Sequence, residues 1–228
     1  MFKHHLYICN QINQHTLPMK TTNYLLTIIA STSLFLASCG GGHDHSNEAE
    51  PAAEEVTVET VTKSVDPTTS TVNWVGKMIG IKAHHGTIDL KEGSITLEGN
   101  KVVGGNFVID MSTITPLDDN YAPDGSAQGT RAMLVGHLSS GDFFAIEENP
   151  TASFEVTGTN EDGSLTGNLT IRGNTNTETV TNVVVGDGTV SGTLVFDRKK
   201  YDVAWDSPMK DAVLSNDIEL EVELKVAG

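Results

Sequence analysis

The side chains best able to do chemistry here are histidines, and their spacing gives them little to work with. His43 and His45 flank Asp44 in "GGGHDHSNEAEP", His84 and His85 are adjacent in "IKAHHGTIDL", and His137 stands in "LVGHLSSGDFF". A zinc-type centre needs three or four ligands converging on one point. The pair in the glycine-rich run supplies too few, and the other three would have to be gathered from distant segments. A hydrolase needs a nucleophile, a base and a group that orients the base. His137 and Asp142 lie five positions apart with no nucleophile beside them. The sequence also contains no G-x-S-x-G, no H-E-x-x-H and no phosphate-cradling glycine loop. No metal site and no catalytic residue is assigned, and a non-enzymatic protein is expected.

Two cysteines carry a different message. Cys9 lies in residues 1–18, which read as an upstream extension of the start, with Met19 the better initiator. From Met19, Lys20 supplies a positive n-region and Tyr24 to Leu36 an apolar stretch of signal-peptide length. It closes on Leu36-Ala37-Ser38-Cys39, which resembles a bacterial lipobox. Residues 19–38 are therefore read as a lipoprotein signal peptide and Cys39 as the lipidated residue. Residues 39–62, acidic and poor in apolar side chains, read as a disordered tether. Residues 63–228 form one domain, long enough to bury a core without disulfides. The expected location is the bacterial cell envelope, anchored by acyl chains at the periplasmic face or on the outer surface of the outer membrane.

Charge narrows the partners. All 30 acidic residues follow Cys39, whereas Lys3 and Lys20 precede it, so a chain beginning at Cys39 has 12 basic residues and a formal charge of −18. That sign excludes nucleic acid as a partner and electrostatic docking on anionic lipid heads.

The elements that would position any site follow from a period of two. Val72, Trp74 and Met78 share one parity, Phe107, Ile109 and Met111 another set, and Phe154 and Val156 alternate with Glu155. Leu169 and Ile171 flank Thr170. At the end Leu220, Val222, Leu224 and Val226 alternate with Glu219, Glu221, Glu223 and Lys225. This is the pattern of half-buried antiparallel strands. Glu92-Gly93, Glu98-Gly99-Asn100, Glu161-Asp162-Gly163 and Gly186-Asp187-Gly188 read as the turns between them. Between Gly125 and Ser140 the apolar residues Met133, Leu134, Val135 and Leu138 shift to helical spacing, with Asp124 or Ser126 as the expected cap. A second helical or irregular piece is expected from Asp206 to Leu214. Eight strands and one helical insertion favour a closed barrel over an open sandwich.

Parity also sorts the polar residues. His84 shares a face with Ile88 and Leu90 and is expected to point inward, unless Gly86 hosts a bulge. Arg172 matches Thr170 and is expected on the outer surface. "DRKKY", Asp197 to Tyr201, reads as a solvated turn. Adjacent Phe143 and Phe144 cannot both face inward on an extended chain, so one is expected in the lumen and the other at the helix–barrel junction.

Several blocks together resemble a known family. "STVNWVGK", "AHHGTIDL", "VGGNFVIDMSTI", "LVGHLSSGDFFAIEENPTASF", "GSLTGNLTIRGNTNTETV" and "FDRKKYDVAW" follow, in order, the motifs of YceI-like domains, from about Val65 to Val226. One departure is Thr177-Glu178, where the family often has K-P, a change expected to alter local turn chemistry. The resemblance implies an all-β fold: an extended lipocalin-like, eight-stranded antiparallel β-barrel with a short helical insertion. It also implies an interior that binds an apolar isoprenoid lipid, of polyprenyl or quinone type, as the only bound group, with no other cofactor. The expected ligand contacts are Val72, Trp74, Met78, His84, Phe107, Ile109, Met133, Leu138, Phe143, Phe144, Phe154 and Ile171. A homodimer is compatible with this pattern. The alternative function is envelope stress or metal handling through His43, His45, His84, His85 and His137.

Overall fold

The computed structural model describes residues 58–227 apart from 80, 81, 120 and 207–212. The signal segment, Cys39, His43 and His45 lie outside the described residues, as does most of the expected irregular piece from Asp206 to Leu214.

The alternation read from the sequence becomes eight strands. They are β1 (Thr60–Ile79), β2 (Lys82–Glu98), β3 (Lys101–Pro116), β4 (Thr151–Thr159), β5 (Leu165–Ile171), β6 (Asn174–Gly186), β7 (Thr189–Asp197) and β8 (Val213–Val226). Each pairs antiparallel with its neighbour, and β8 returns to pair with β1, closing the barrel. Closure removes the two sheet edges that an open arrangement would expose. The register brings inward residues together across the seam: Trp74 opposes Leu220 on β1 and β8, and Leu220 opposes Leu194 on β8 and β7.

Two local readings are corrected. Thr60, Val61 and Thr62, read as the end of the tether, already belong to β1. Glu92-Gly93 is not a turn but lies inside β2, where the register against β3 slips between Leu90 and Glu92. The extra residue there bends the long strand without ending it.

The strands define two ends. Hairpins β2–β3, β4–β5 and β6–β7 turn at one end, over an aliphatic cluster of Val65, Leu90, Ile95, Val102, Val156, Leu165, Val190 and Leu224. At the other end the β3–β4 connection carries helix α1 (Arg131–Ser139), and a single 3-10 turn, Arg198–Tyr201, follows β7. Beneath them Trp74, Ile88, Met111, Phe143, Phe144, Phe196 and Ile218 belong to a second cluster. We refer to these as the hairpin end and the helix end.

Gly86 is needed at the helix end. A Cβ there would lie 2.0 Å from the Thr115 carbonyl oxygen and 2.7 Å from the Trp74 indole. It permits close packing of β1, β2 and β3; the β1–β2 register runs unbroken from Val72 opposite Ile88 to Gly76 opposite His84, so His84 keeps the face of Ile88 and lines the interior.

Candidate functional site: the barrel interior

A cavity of about 280 Å³ runs inside the barrel alongside both clusters, from Leu90, Ile95 and Val190 to Phe143, Phe144 and Trp205. Among the described residues, none that lines it is Lys, Arg, Asp or Glu. Polar side-chain atoms on the wall come from His84, His137, Ser153, Ser191 and the two Trp indoles. Such a surface holds a ligand by removing apolar area from water, at about 25 cal/mol per Å². With few converging hydrogen-bonding groups, it selects mainly by shape.

Eleven of the twelve expected contact residues line this cavity: Val72, Trp74, Met78, His84, Phe107, Ile109, Leu138, Phe143, Phe144, Phe154 and Ile171. Met133 does not. It is 47% exposed on the outer side of α1, whereas Leu134, His137 and Leu138, at i, i+3 and i+4, turn to the cavity. The helix is also shorter than expected and is capped by Thr130, whose Oγ1 accepts from the Met133 amide at 3.2 Å, rather than by Asp124 or Ser126.

The expected division between Phe143 and Phe144 is overturned as well. Both are buried and both line the cavity. The segment is a tight turn, with Phe143 N donating to Ser140 O at 3.0 Å, Phe144 N to Leu138 O at 3.1 Å, and Ala145 at φ 46°. Strand parity does not apply to such a backbone, so adjacent rings reach the same space, 5.6 Å apart edge to face. Asp142 is an exposed turn residue.

Three arginines, all outside the cavity, hold the helix end together. "DRKKY" is not a solvated turn: Arg198 and Tyr201 are fully buried. Arg198 donates to the carbonyls of Ser215 (3.0 Å), Val203 (2.6 Å) and Trp205 (2.8 Å), and lies 3.4 Å from the Asp206 carboxylate. It thereby fixes residues 203–206, a strap without regular structure, with Trp205 against the cavity. Arg172 is likewise not a free surface residue. At φ 50° in the β5–β6 turn, it donates to the Phe143 carbonyl (2.5 Å) and the Asp202 carbonyl (2.8 Å). Arg131 stands over the Tyr121 ring and donates to the Asp118 carbonyl at 3.1 Å.

The two inward histidines differ. His84 Nδ1 donates to the buried Asp118 carboxylate at 3.1 Å, and the Tyr121 hydroxyl donates to the same carboxylate at 2.5 Å. Burial first, and then this bond to Asp118, push the Tyr121 phenol well above its ordinary range. His137 has no such support. Its ring meets Trp205 at 4.7 Å and Phe143 at 5.1 Å, both edge to face, and its buried Nε2 has no hydrogen-bond partner among the described residues. An unsatisfied buried group of this kind costs about 1–3 kcal/mol. His85 is exposed, and among the described residues no group of three or more His, Cys, Asp or Glu is placed to hold a metal ion.

The model of the YceI-like domain matches residues 64–226. The chain belongs to the YceI-like family. UPF0312 proteins of Pseudomonas aeruginosa are 30% identical to it over 115 residues, 49% of this chain and 54% of theirs, so the match spans about half the length of these curated relatives. Among solved structures, Burkholderia cenocepacia BcnA is 21% identical with a TM-score of 0.51, covering 72% of this chain and 99% of that one. A domain from Saccharophagus degradans described as polyisoprenoid-binding is 10% identical with a TM-score of 0.43, covering 74% of this chain and 100% of that one.

Within this YceI-like barrel, Glu178 belongs to the wall. It sits in β6, opposite Gly167, not in a turn. Its buried carboxylate accepts from the Tyr201 hydroxyl at 3.0 Å and from Lys200 Nζ at 3.1 Å, tying the 3-10 turn to the barrel wall. Sequence reading missed Trp205 and left His137 out of the cavity. The only available signal for His137 was its spacing from Leu134 and Leu138 on the helix.

Proposed function

We propose that this protein binds, and thereby stores or carries, an apolar isoprenoid lipid of polyprenyl or quinone type in the barrel interior, and that it is not an enzyme. The observation that carries this reading is the cavity itself: it reaches from one end of the barrel to the other, is walled by hydrocarbon and aromatic rings, and has no charged residue among the described residues of its lining. Water gains little from such a wall, while a slim unsaturated chain gains about 0.8 kcal/mol for each methylene it buries. Its volume lies near the lower edge of the roughly 300–1,000 Å³ of small-ligand pockets, which suits a slim ligand. Membership of the YceI-like family supports the same reading.

We place the barrel in the bacterial envelope, tethered through lipidated Cys39, because the Leu36-Ala37-Ser38-Cys39 run closes a signal-like apolar stretch. Cys39→Ala is expected to shift the protein from the membrane to the soluble fraction; unchanged membrane retention contradicts the anchor.

The binding reading is tested by purifying the full-length protein from its native host and analysing a solvent extract by mass spectrometry. About one prenyl lipid per chain is expected. Repeated extracts without any prenyl lipid would overturn the reading.

A further inference from the structure

We propose that His137 is the residue that selects the head group of the bound lipid: its Nε2 anchors a neutral, oxygen-bearing head, a quinone carbonyl or a prenol hydroxyl, and the site discriminates against a phosphate. This rests on the binding reading above and assigns it a direction, head at the helix end and tail toward the hairpin end.

Several polar groups around the helix end are already occupied. The Trp74 indole donates to the Thr87 carbonyl at 3.1 Å, His84 Nδ1 is held by Asp118, and the Tyr201 hydroxyl by Glu178. His137 Nε2 is buried, has no hydrogen-bond partner among the described residues and belongs to a ring on the cavity wall. A neutral imidazole nitrogen can donate to a carbonyl or accept from a hydroxyl, depending on the tautomer. Either bond would satisfy a group that the fold leaves open, and leaving such a group unmet is costly in an apolar setting.

The neighbours decide between neutral and anionic heads. Arg198 and Arg172 are committed to backbone carbonyls, and Arg131 to Tyr121 and the Asp118 carbonyl. Among the described residues no cation lines the cavity. A phosphate drawn to His137 would be a buried charge facing Trp205 and Phe143, with no arginine or lysine among the described wall residues to pair with it. A planar neutral ring, by contrast, suits the edges and faces of those aromatics.

The test is a competition assay on the full-length protein, displacing a fluorescent polyene with three ligands that share one isoprenoid tail. One carries a benzoquinone, one carries no head and one carries a monophosphate. The wild type is expected to bind the quinone more tightly than the other two. His137→Phe is expected to lower the quinone-to-headless affinity ratio roughly three- to tenfold, the worth of one neutral hydrogen bond. His137→Gln, which keeps a donor and an acceptor, is expected to restore part of that ratio. It also serves as the second variant if the phenylalanine change impairs folding, judged by thermal unfolding. A ratio unchanged in both variants overturns the proposal and means that the nitrogen is met by water. A phosphate bound as tightly as the quinone overturns the neutral-head assignment. Equal uptake of all three ligands by the wild type removes only the head-group assignment. Uptake of none removes the binding reading on which it rests.

Discussion

At the hairpin end the interior is walled by Leu90, Ile95, Val102, Leu165, Val190 and Leu224; at the helix end Trp74, Phe143, Phe144, Phe196 and Trp205 take over, with His84 and His137 among them. The difference is also one of construction. The aliphatic end is made by strands and short hairpins alone, so its shape follows from the pleat and the register. The aromatic end is assembled from a helix, a tight turn and a strap, held by arginines that donate to their carbonyls. The first end offers mainly hydrocarbon, and the second adds the rings of His84 and His137.

The largest way to break this contrast is to release the strap. Arg198→Met removes the donor that satisfies the carbonyls of Val203, Trp205 and Ser215. Each buried acceptor left unmet costs about 1–3 kcal/mol, so a loss of about 3 kcal/mol or more is expected in urea unfolding. Trp205 emission should shift to the red. Unchanged emission would show that the strap holds without its arginine.

A second change sharpens the contrast from the other end. Val190 is buried and lines the hairpin end of the cavity. Val190→Phe is expected to shorten the interior and weaken binding of the longest isoprenoids about fourfold for each methylene no longer buried. Preference among head groups should not move. A variant that alters head-group preference while leaving chain-length dependence intact would reverse the assignment of the two ends.

The smallest effect is electrostatic and belongs to the helix end alone. Burial, and then the bond to Glu178, push the Tyr201 phenol above its ordinary value of 10.0. The unfolded chain ionises this phenol near pH 10, while the folded chain keeps the proton to higher pH. The folded state therefore binds more protons there, and stability is present below about pH 10 and falls as pH rises beyond it. Tyr201→Phe is expected to flatten that decline, measured as urea midpoints between about pH 8 and 11. An identical slope would mean that Tyr121, which is shifted in the same direction, carries the whole effect.

How far the molecule could be read in its sequence follows the same division. Alternation placed Val72, Trp74 and Met78 on the lumen side of β1 and Leu220, Val222 and Leu224 on that of β8, because a strand between two neighbours leaves only two faces to choose from. Helical spacing found Leu138 but misplaced Met133, since the apolar residues of α1 spread beyond the one stripe that meets the barrel. Phe143 and Phe144 were misjudged because their turn breaks the period. Trp205 left no local trace: it reaches the cavity through Arg198, whose bonds span to Ser215 and across the strap. Asp118 is similar, a loop carboxylate that finds His84 from 34 residues away. Periodic structure is written locally, whereas the helix end depends on contacts that only the closed barrel brings together.

The most direct test is the position of a bound lipid along the barrel. An isoprenoid chain carrying a nitroxide at its head can be added to isotopically labelled full-length protein and the loss of amide signals mapped by NMR. The expected result is strongest broadening at Leu134 to Phe144 and at Trp205, fading toward Ile95, Leu165 and Val190. Broadening centred on the hairpin end, or spread over outward-facing residues such as Val184 and Val195, would contradict a lipid held inside the barrel with its head at His137.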